Sequence, residues 1–483
     1  MSEVYIEYRQ GSIYPQTGWN PSRPYPEYPF GDHNIQKEPN DAYDMIRSLF
    51  QMMGLDRDNF GKKCWNPLGA YISPGDLVLI KPNFVMHCNE NRKRRENSMA
   101  CLVTHPSCLR AVCDYCLIAL QGKGEVVIAD APMQDCNLQV LFEQIHFTEL
   151  LAFYHRHKKP VSFVDLRKYQ SEFNRNKVIV NRIYQTGKAV DVDMGSLSMH
   201  ERRSGARTYQ VDNYALAQTE QYHSEHRHIY SLNRIVLQAD VVINFCKPKS
   251  HRLAGFTAAM KNMVGIIYDK ASLPHYTVGS LEEGGDAYLH PSKIKRIISS
   301  ILEQKIKHEN QHQIFRATID RYLYAVLLLF ERRFGKDPYI KGIWAGNDTI
   351  WRTVVDLNHI IRFADQEGTL QGDTQRRVLN FADMIIAGEH NGPCQPEAKS
   401  LGILMASESA VAMDMTFCKM AGFKEEKIPM IKALREHRPD YLMPGQDKKI
   451  MIYANKKEYQ GDLKSIKFPQ KWHFRPHDSW KSV

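Results

Sequence analysis

At 483 residues the chain is longer than a single core of ordinary size and predicts two or three lobes. With 43% apolar and 24% charged residues it is not globally disordered, and no apolar run spans a bilayer; the longest, Ala325 to Phe330, reads as a helix core. The net charge of +10 is spread along the chain, which suits carboxylate or phosphate ligands and does not argue for nucleic acid.

Residues 1–74 read as an N-terminal arm and helix. MSEVYIEYRQ carries acids and no apolar signal region, so a cytoplasmic location is expected. Residues 11–40, rich in Pro, Tyr, Gly and Asn, form an extended arm whose aromatics pack on the body. Helical spacing follows over 41–54, capped by Asn40 or Asp41 and stopped by Gly54.

Residues 75–165 form a first α/β segment. Leu77 to Ile80 is a buried strand whose end carries Lys81 and Asn83, because Pro82 stops the ladder. A helix from Thr104 to Gly122 leads into a second buried strand ending at Asp130, and VSFVDL is a third. Strand, helix, strand in this rhythm predicts a mostly parallel sheet flanked by helices. Residues 166–235 are polar, His- and Arg-rich, and read as an insertion over the sheet edge or site.

Residues 236–425 form a second α/β segment. Its apolar run Val241 to Phe245 breaks at Pro248 and presents Lys247, Lys249, His251 and Arg252. Gly255, Lys261, Asn262 and Gly265 follow among small residues. Open α/β sheets bind ligands beyond the carboxyl ends of their strands, so this stretch is expected to form half of an active site. A helical pair covers 292–334, and a fourth buried strand ends at Glu389, His390 and Asn391. Residues 426–483 hold one more strand and a polar aromatic tail.

Four strands thus run out into polar residues. If they are parallel, Lys81 and Asn83, Asp130, Lys247 with His251, and Glu389 with Asn391 surround one crevice. Lysines before the histidine depress its pKa, so His251 is expected to be neutral at pH 7 and able to take a proton. Lys81, Lys247, Lys249 and Lys261, with Asn83, Asn262 and Asn391, would hold a carboxylate or phosphate and stabilise charge developing on oxygen. Asp130 or Glu389 is the partner acid/base, or holds a divalent cation through water.

Other patterns are set aside. GFTAAMKN is no phosphate-binding Walker loop, because Met260 stands where a glycine is needed. Cys108, Cys113 and Cys116 lie in an apolar helix and read as buried thiols. His223, His226 and His228 read as an exposed polar insertion with no carboxylate placed beside them. Arg202 to Arg207 form a basic stretch without a recognised RNA-binding module.

KPNFV, the THP turn, the strand ending in Asp130, ADVVINFCKPKSH, GFTAAMKNMVGI, GNDTIWRTVVDLN and AGEHNGP, taken in order, resemble the domain of unknown function 362 family over about residues 75–425. Some members of that family carry a ferredoxin module. This chain has no such cysteine run, so a ferredoxin-type iron–sulfur cluster is not expected. SHRLAGFTAAMKNMVG is also similar to a segment of nickel-dependent lactate racemases, with His251 matching an acid/base histidine and Lys261 a cofactor-anchoring lysine. The resemblance implies two lobes around a cleft, a lactate-racemase-like architecture. Thr257, Ala258 and Ala259 replace that family's Ser-Gly-Gly, and the nickel cofactor is not carried over.

The expectation is a cytosolic enzyme doing acid/base chemistry, isomerase- or lyase-like, on a small anionic molecule. The alternatives are a non-catalytic adaptor and a redox-associated partner of an iron–sulfur system. Substrate, metal and homo-oligomeric state stay open.

Overall fold

The computed structural model describes residues 1–91, 98–203, 208–436, 442 and 449–481. In chain order its main elements are strand β1 (Ser2–Tyr8), helix α1 (Asp41–Met52), β2 (Leu77–Lys81), α2 (Pro106–Leu120), β3 (Glu125–Asp130), β4 (Val161–Asp165), β5 (Val241–Cys246), β6 (Lys249–His251), β7 (Gly255–Thr257), the short helix α3 (Ala259–Asn262), α4 (Lys293–Asn310), α5 (Ile314–Phe334), α6 (Ile350–Phe363), β8 (Arg377–Asn391), β9 (Gln395–Ser407), α7 (Ala410–Met420), β10 (Ile450–Ala454) and β11 (Gly461–Asp462).

The eleven strands make one sheet, with backbone order β11-β10-β1-β9-β8-β5-β2-β3-β4 and the β6–β7 hairpin beside β8. From β8 to β4 the neighbours are parallel. β9 is antiparallel to both β8 and β1, and β10 runs parallel to β1. The sheet is therefore mixed. The apolar N-terminal residues, read from sequence only as the start of an arm, supply β1 in its interior.

Alternation along the strands feeds both faces. Val78, Ile80, Val126 and Ile128 pack toward α1 and α2, while Leu79, Val127 and Val242 meet Leu357, Ile360 and Ile361 of α6. Helices therefore cover both sides of the strand ends. Asn40 caps α1, accepting the Tyr43 N–H at 3.2 Å. At α2 the cap is His105, whose ring accepts the Ser107 N–H. Thr104 is used elsewhere, donating to Phe245 O and accepting the Asn83 N–H. The arm packs as expected, with Tyr14, Trp19, Tyr28 and Phe30 buried.

Three sequence readings need correction. Ala325 to Phe330 is no core: Val326, Leu329 and Phe330 are exposed on α5. His223 and His228 are buried, not displayed, and Glu201 accepts from His228 at 2.8 Å and contacts His226 at 2.9 Å. Arg203 of the basic stretch is buried too, against Asp286 and Asp348; Arg207 lies outside the described residues.

Candidate functional site

Lys81 and Asp130 end adjacent parallel strands, so their side chains meet above the rim. Lys81 Nζ donates to Asp130 Oδ1 at 2.7 Å and to Pro82 O at 2.7 Å, and Asp130 Oδ2 accepts the Phe84 N–H at 2.6 Å. Burial pulls Lys81 down and pushes Asp130 up, while each one's charge opposes the shift in the other. Gly265 passes directly over the pair.

An amide chain holds this rim to the next segment. Asn262 Oδ1 accepts from Asn83 Nδ2 at 2.9 Å, and its Nδ2 donates to Asn244 Oδ1 at 2.8 Å. Asn244 in turn donates to Ala259 O and to Asn380 Oδ1. Asn244 and Asn380 sit opposite one another inside β5 and β8, where apolar neighbours hid them from the sequence reading. The start of α3 is held by Asp414 of α7, which accepts the N–H groups of Ala259 and Met260 at 2.7 and 3.2 Å.

These elements enclose a concave pocket of about 180 Å³. Lys81, Asn83, Asp130, His251, Lys261 and Asn262 line it, together with Arg252, Lys270 and His275. Residues 211–214, from the stretch between β4 and β5, close one side. Lys270 donates to Ala131 O at 2.8 Å. Burial alone would raise Asp212, but Lys341, Arg252 and His275 hold it below the usual carboxylate range. Burial drops His275 to about 4 against the pull of Asp212.

His251 Nδ1 accepts the backbone N–H groups of Leu253 and Ala254 at 3.0 and 3.3 Å. A ring nitrogen that accepts has no proton, so neutral His251 carries its proton on Nε2. Burial first, then Lys261 and Arg252, holds this imidazole well below its ordinary pKa. Lys249 comes last among the causes, so the neutrality argued from preceding lysines has mainly a different origin. Lys261 is brought down to about 7 by burial with Arg252 and Lys270 nearby, and Lys270 to about 8 by burial. Lys261 has no hydrogen-bond or carboxylate partner among the described residues.

Four other candidates lie elsewhere. Lys247 is buried at the β8 side of the rim, bonded to Asp383 Oδ2 at 2.9 Å and to Tyr14 OH at 2.9 Å. Lys249 turns to Asn83 Oδ1 and Leu102 O. Glu389 and Asn391 fall beyond the rim, because β8 does not end there. Cys246 pairs with Ala382, and β8 continues for nine more residues as a hairpin with β9. At that far end Glu389 binds Arg475 at 2.9 Å and Asn391 binds Asp478 at 3.0 Å. Both anchor the C-terminal tail, whose buried Trp480 donates to Arg252 O at 2.8 Å. They reach the pocket only through that buttress.

Sequence reasoning put Arg252 in the loop but gave it no role, and passed over Lys270, His275 and Asp212. Lys270 had one signal: it is the next lysine after Lys261 in the same small-residue stretch. Among the described residues no group of three or more His, Cys, Asp or Glu side chains is placed to hold a metal ion, and no helix is long and apolar enough to cross a membrane.

No curated protein and no solved structure matches the chain. One family model does, in two segments covering residues 78–195 and 197–419. Those segments contain the rim strands, the β6–β7 hairpin, α3 and the pocket's insertion loop, and the match spans most of the chain. The protein belongs to the domain of unknown function 362 family.

Proposed function

We propose that the pocket binds a small organic anion, a carboxylate or phosphate, and moves a proton on it. The observation that carries this is Lys261, a half-buried ammonium with no carboxylate partner among the described residues, facing a cavity also lined by Arg252 and Lys270. Burying an uncompensated cation is costly, and a bound anion would relieve it. A volume of about 180 Å³ is below the ~300–1,000 Å³ of drug-sized sites, which suits a small metabolite.

The roles follow from protonation state. Arg252, through its planar guanidinium fork, and Lys270 hold the anion. Lys261, brought to about 7, is half neutral near physiological pH and is a competent general base. His251, neutral with its proton on Nε2, donates to the oxygen on which charge develops. The Lys81–Asp130 pair, already satisfied, fixes the floor on which Asn83 and Asn262 sit. Proton removal beside a carboxylate is shared by isomerase-like and lyase-like reactions.

The test is a panel of small carboxylates and phosphates, read by thermal shift and by loss of the proton next to the carboxylate in deuterated water. At least one anion is expected to raise Tm and exchange that proton, and His251→Ala is expected to stay folded and lose exchange. A panel with no binder, or exchange unchanged in His251→Ala, overturns the proposal.

A further inference from the structure

Helices α4 and α5 form an antiparallel hairpin, and α5 is built inside out. Of its 21 residues only Ala317, Asp320 and Glu331 are buried. Both acids face α4, Asp320 on His308 at 2.6 Å and Glu331 toward Lys295 at 3.8 Å. The opposite side carries Phe315, Ile319, Tyr322, Leu323, Val326, Leu329, Phe330 and Phe334, between 46% and 79% exposed. Their spacing of three and four residues places them on one stripe along the whole helix.

At roughly 100 Å² or more of open surface per side chain, the stripe is on the order of 900 Å². That exceeds the ~300–600 Å² of the largest apolar patch on an ordinary monomer, so something covers it. Charge says what. The exposed ionic residues of α5 are Arg316, Arg332 and Arg333, with Lys336 just beyond; no acid is exposed among the described residues of the helix. A second copy laid on this face, parallel or antiparallel, would oppose arginine to arginine with no carboxylate between them, at a cost in association. An anionic surface meets the same residues favourably. The helix is about 32 Å long and too polar to cross a bilayer, so it would lie along one.

We propose that α5 is a peripheral membrane anchor, lying flat on an anionic phospholipid surface with its apolar stripe among the acyl chains and its arginines on the headgroups. Attachment would then combine apolar burial with attraction of each basic residue to the charged surface. This rests on the outer face of α5 alone and is independent of the pocket.

The experiment is co-sedimentation of the full chain with phosphatidylcholine vesicles, with and without phosphatidylserine. The parent is expected to pellet with the anionic vesicles, to release as salt is raised, and to bind neutral vesicles more weakly. Val326→Glu with Leu329→Glu, both at exposed positions, is expected to weaken binding by roughly a hundredfold while leaving Tm unchanged. Parent protein that stays in solution with either vesicle overturns the proposal, as does equal binding by the double variant. A vesicle-free dimer that the double variant splits into monomers also overturns it, because the stripe is then covered by a second copy.

Discussion

A Cβ added to Gly265 would stand 2.2 Å from Asp130 Oδ1 and 2.6 Å from Lys81 Nζ. No side chain fits there while the ion pair keeps its geometry, since real Cβ contacts are longer by about 1 Å. The ion pair and the loop after α3 are therefore one device: Gly265 O also accepts the Ala131 N–H at 2.8 Å, tying that loop to the end of β3.

Gly265→Ala is expected to push Asp130 off Lys81. The loss from overpacking should be about 1–3 kcal/mol in a denaturant titration. Anion affinity should fall as well, because Lys81 also donates to Asn262 Oδ1, three residues before Gly265. An alanine variant with parent stability and parent affinity would show that the loop has room the structure does not display.

Lys261 makes a prediction of opposite sign. As a half-buried cation without a partner among the described residues it destabilises the empty protein, so Lys261→Met should raise stability at pH 7 by about 2 kcal/mol and weaken stabilisation by anions, which Arg252 and Lys270 still hold. The pH dependence carries the same signature. Lys261 sits near 7 in the folded state against an ordinary 10.5. Between those values the unfolded chain binds one more proton, so stability rises with pH across the window, by at most about 1.4 kcal/mol per unit. Anion affinity runs the other way, falling as pH climbs through 7 and Lys261 loses its charge, with Lys270 following near 8. Thermal melts from pH 6 to pH 9, with and without anion, check both slopes. In the methionine variant the Lys261 contribution to each should vanish.

How much of this could be read from the chain depends on whether the signal was local. Lys81 and Asp130 each close a buried apolar run, and a run that ends in a charge marks a strand end without knowledge of its neighbours. Glu389 follows the same local rule and lands elsewhere, because the rim of β8 is set by its pairing of Ala382 with Cys246, five residues before Ala387, the last apolar residue of the run. The carboxylate at the β8 rim is Asp383, and it holds Lys247 away from the pocket. Register between strands more than a hundred residues apart leaves no trace in a single sequence. The same holds for Asn244 and Asn380, which look like interruptions of apolar strands until they are seen side by side. Ala325 to Phe330 shows the complementary limit: hydropathy marks an apolar face but not whether anything in the same chain covers it.

Asp414 is the remaining lever on the pocket, and it acts without touching it. Burial pushes its carboxyl up to about 8, against the two backbone N–H groups that it accepts. It has no cation partner among the described residues, so its worth lies in satisfying Ala259 and Met260 at the start of α3, the turn that aims Lys261. Asp414→Ala leaves both donors buried and unpaired and should cost about 3 kcal/mol. Asp414→Asn keeps one acceptor and should cost about half as much. If the cap positions Lys261, anion affinity will drop in the same order, with alanine below asparagine below parent, at a temperature where all three are folded. Calorimetric titration with the best anion of the panel measures this. Equal affinities in the three proteins would mean that α3 holds its place through the amide chain of Asn262 and Asn244, and that the carboxylate serves stability alone.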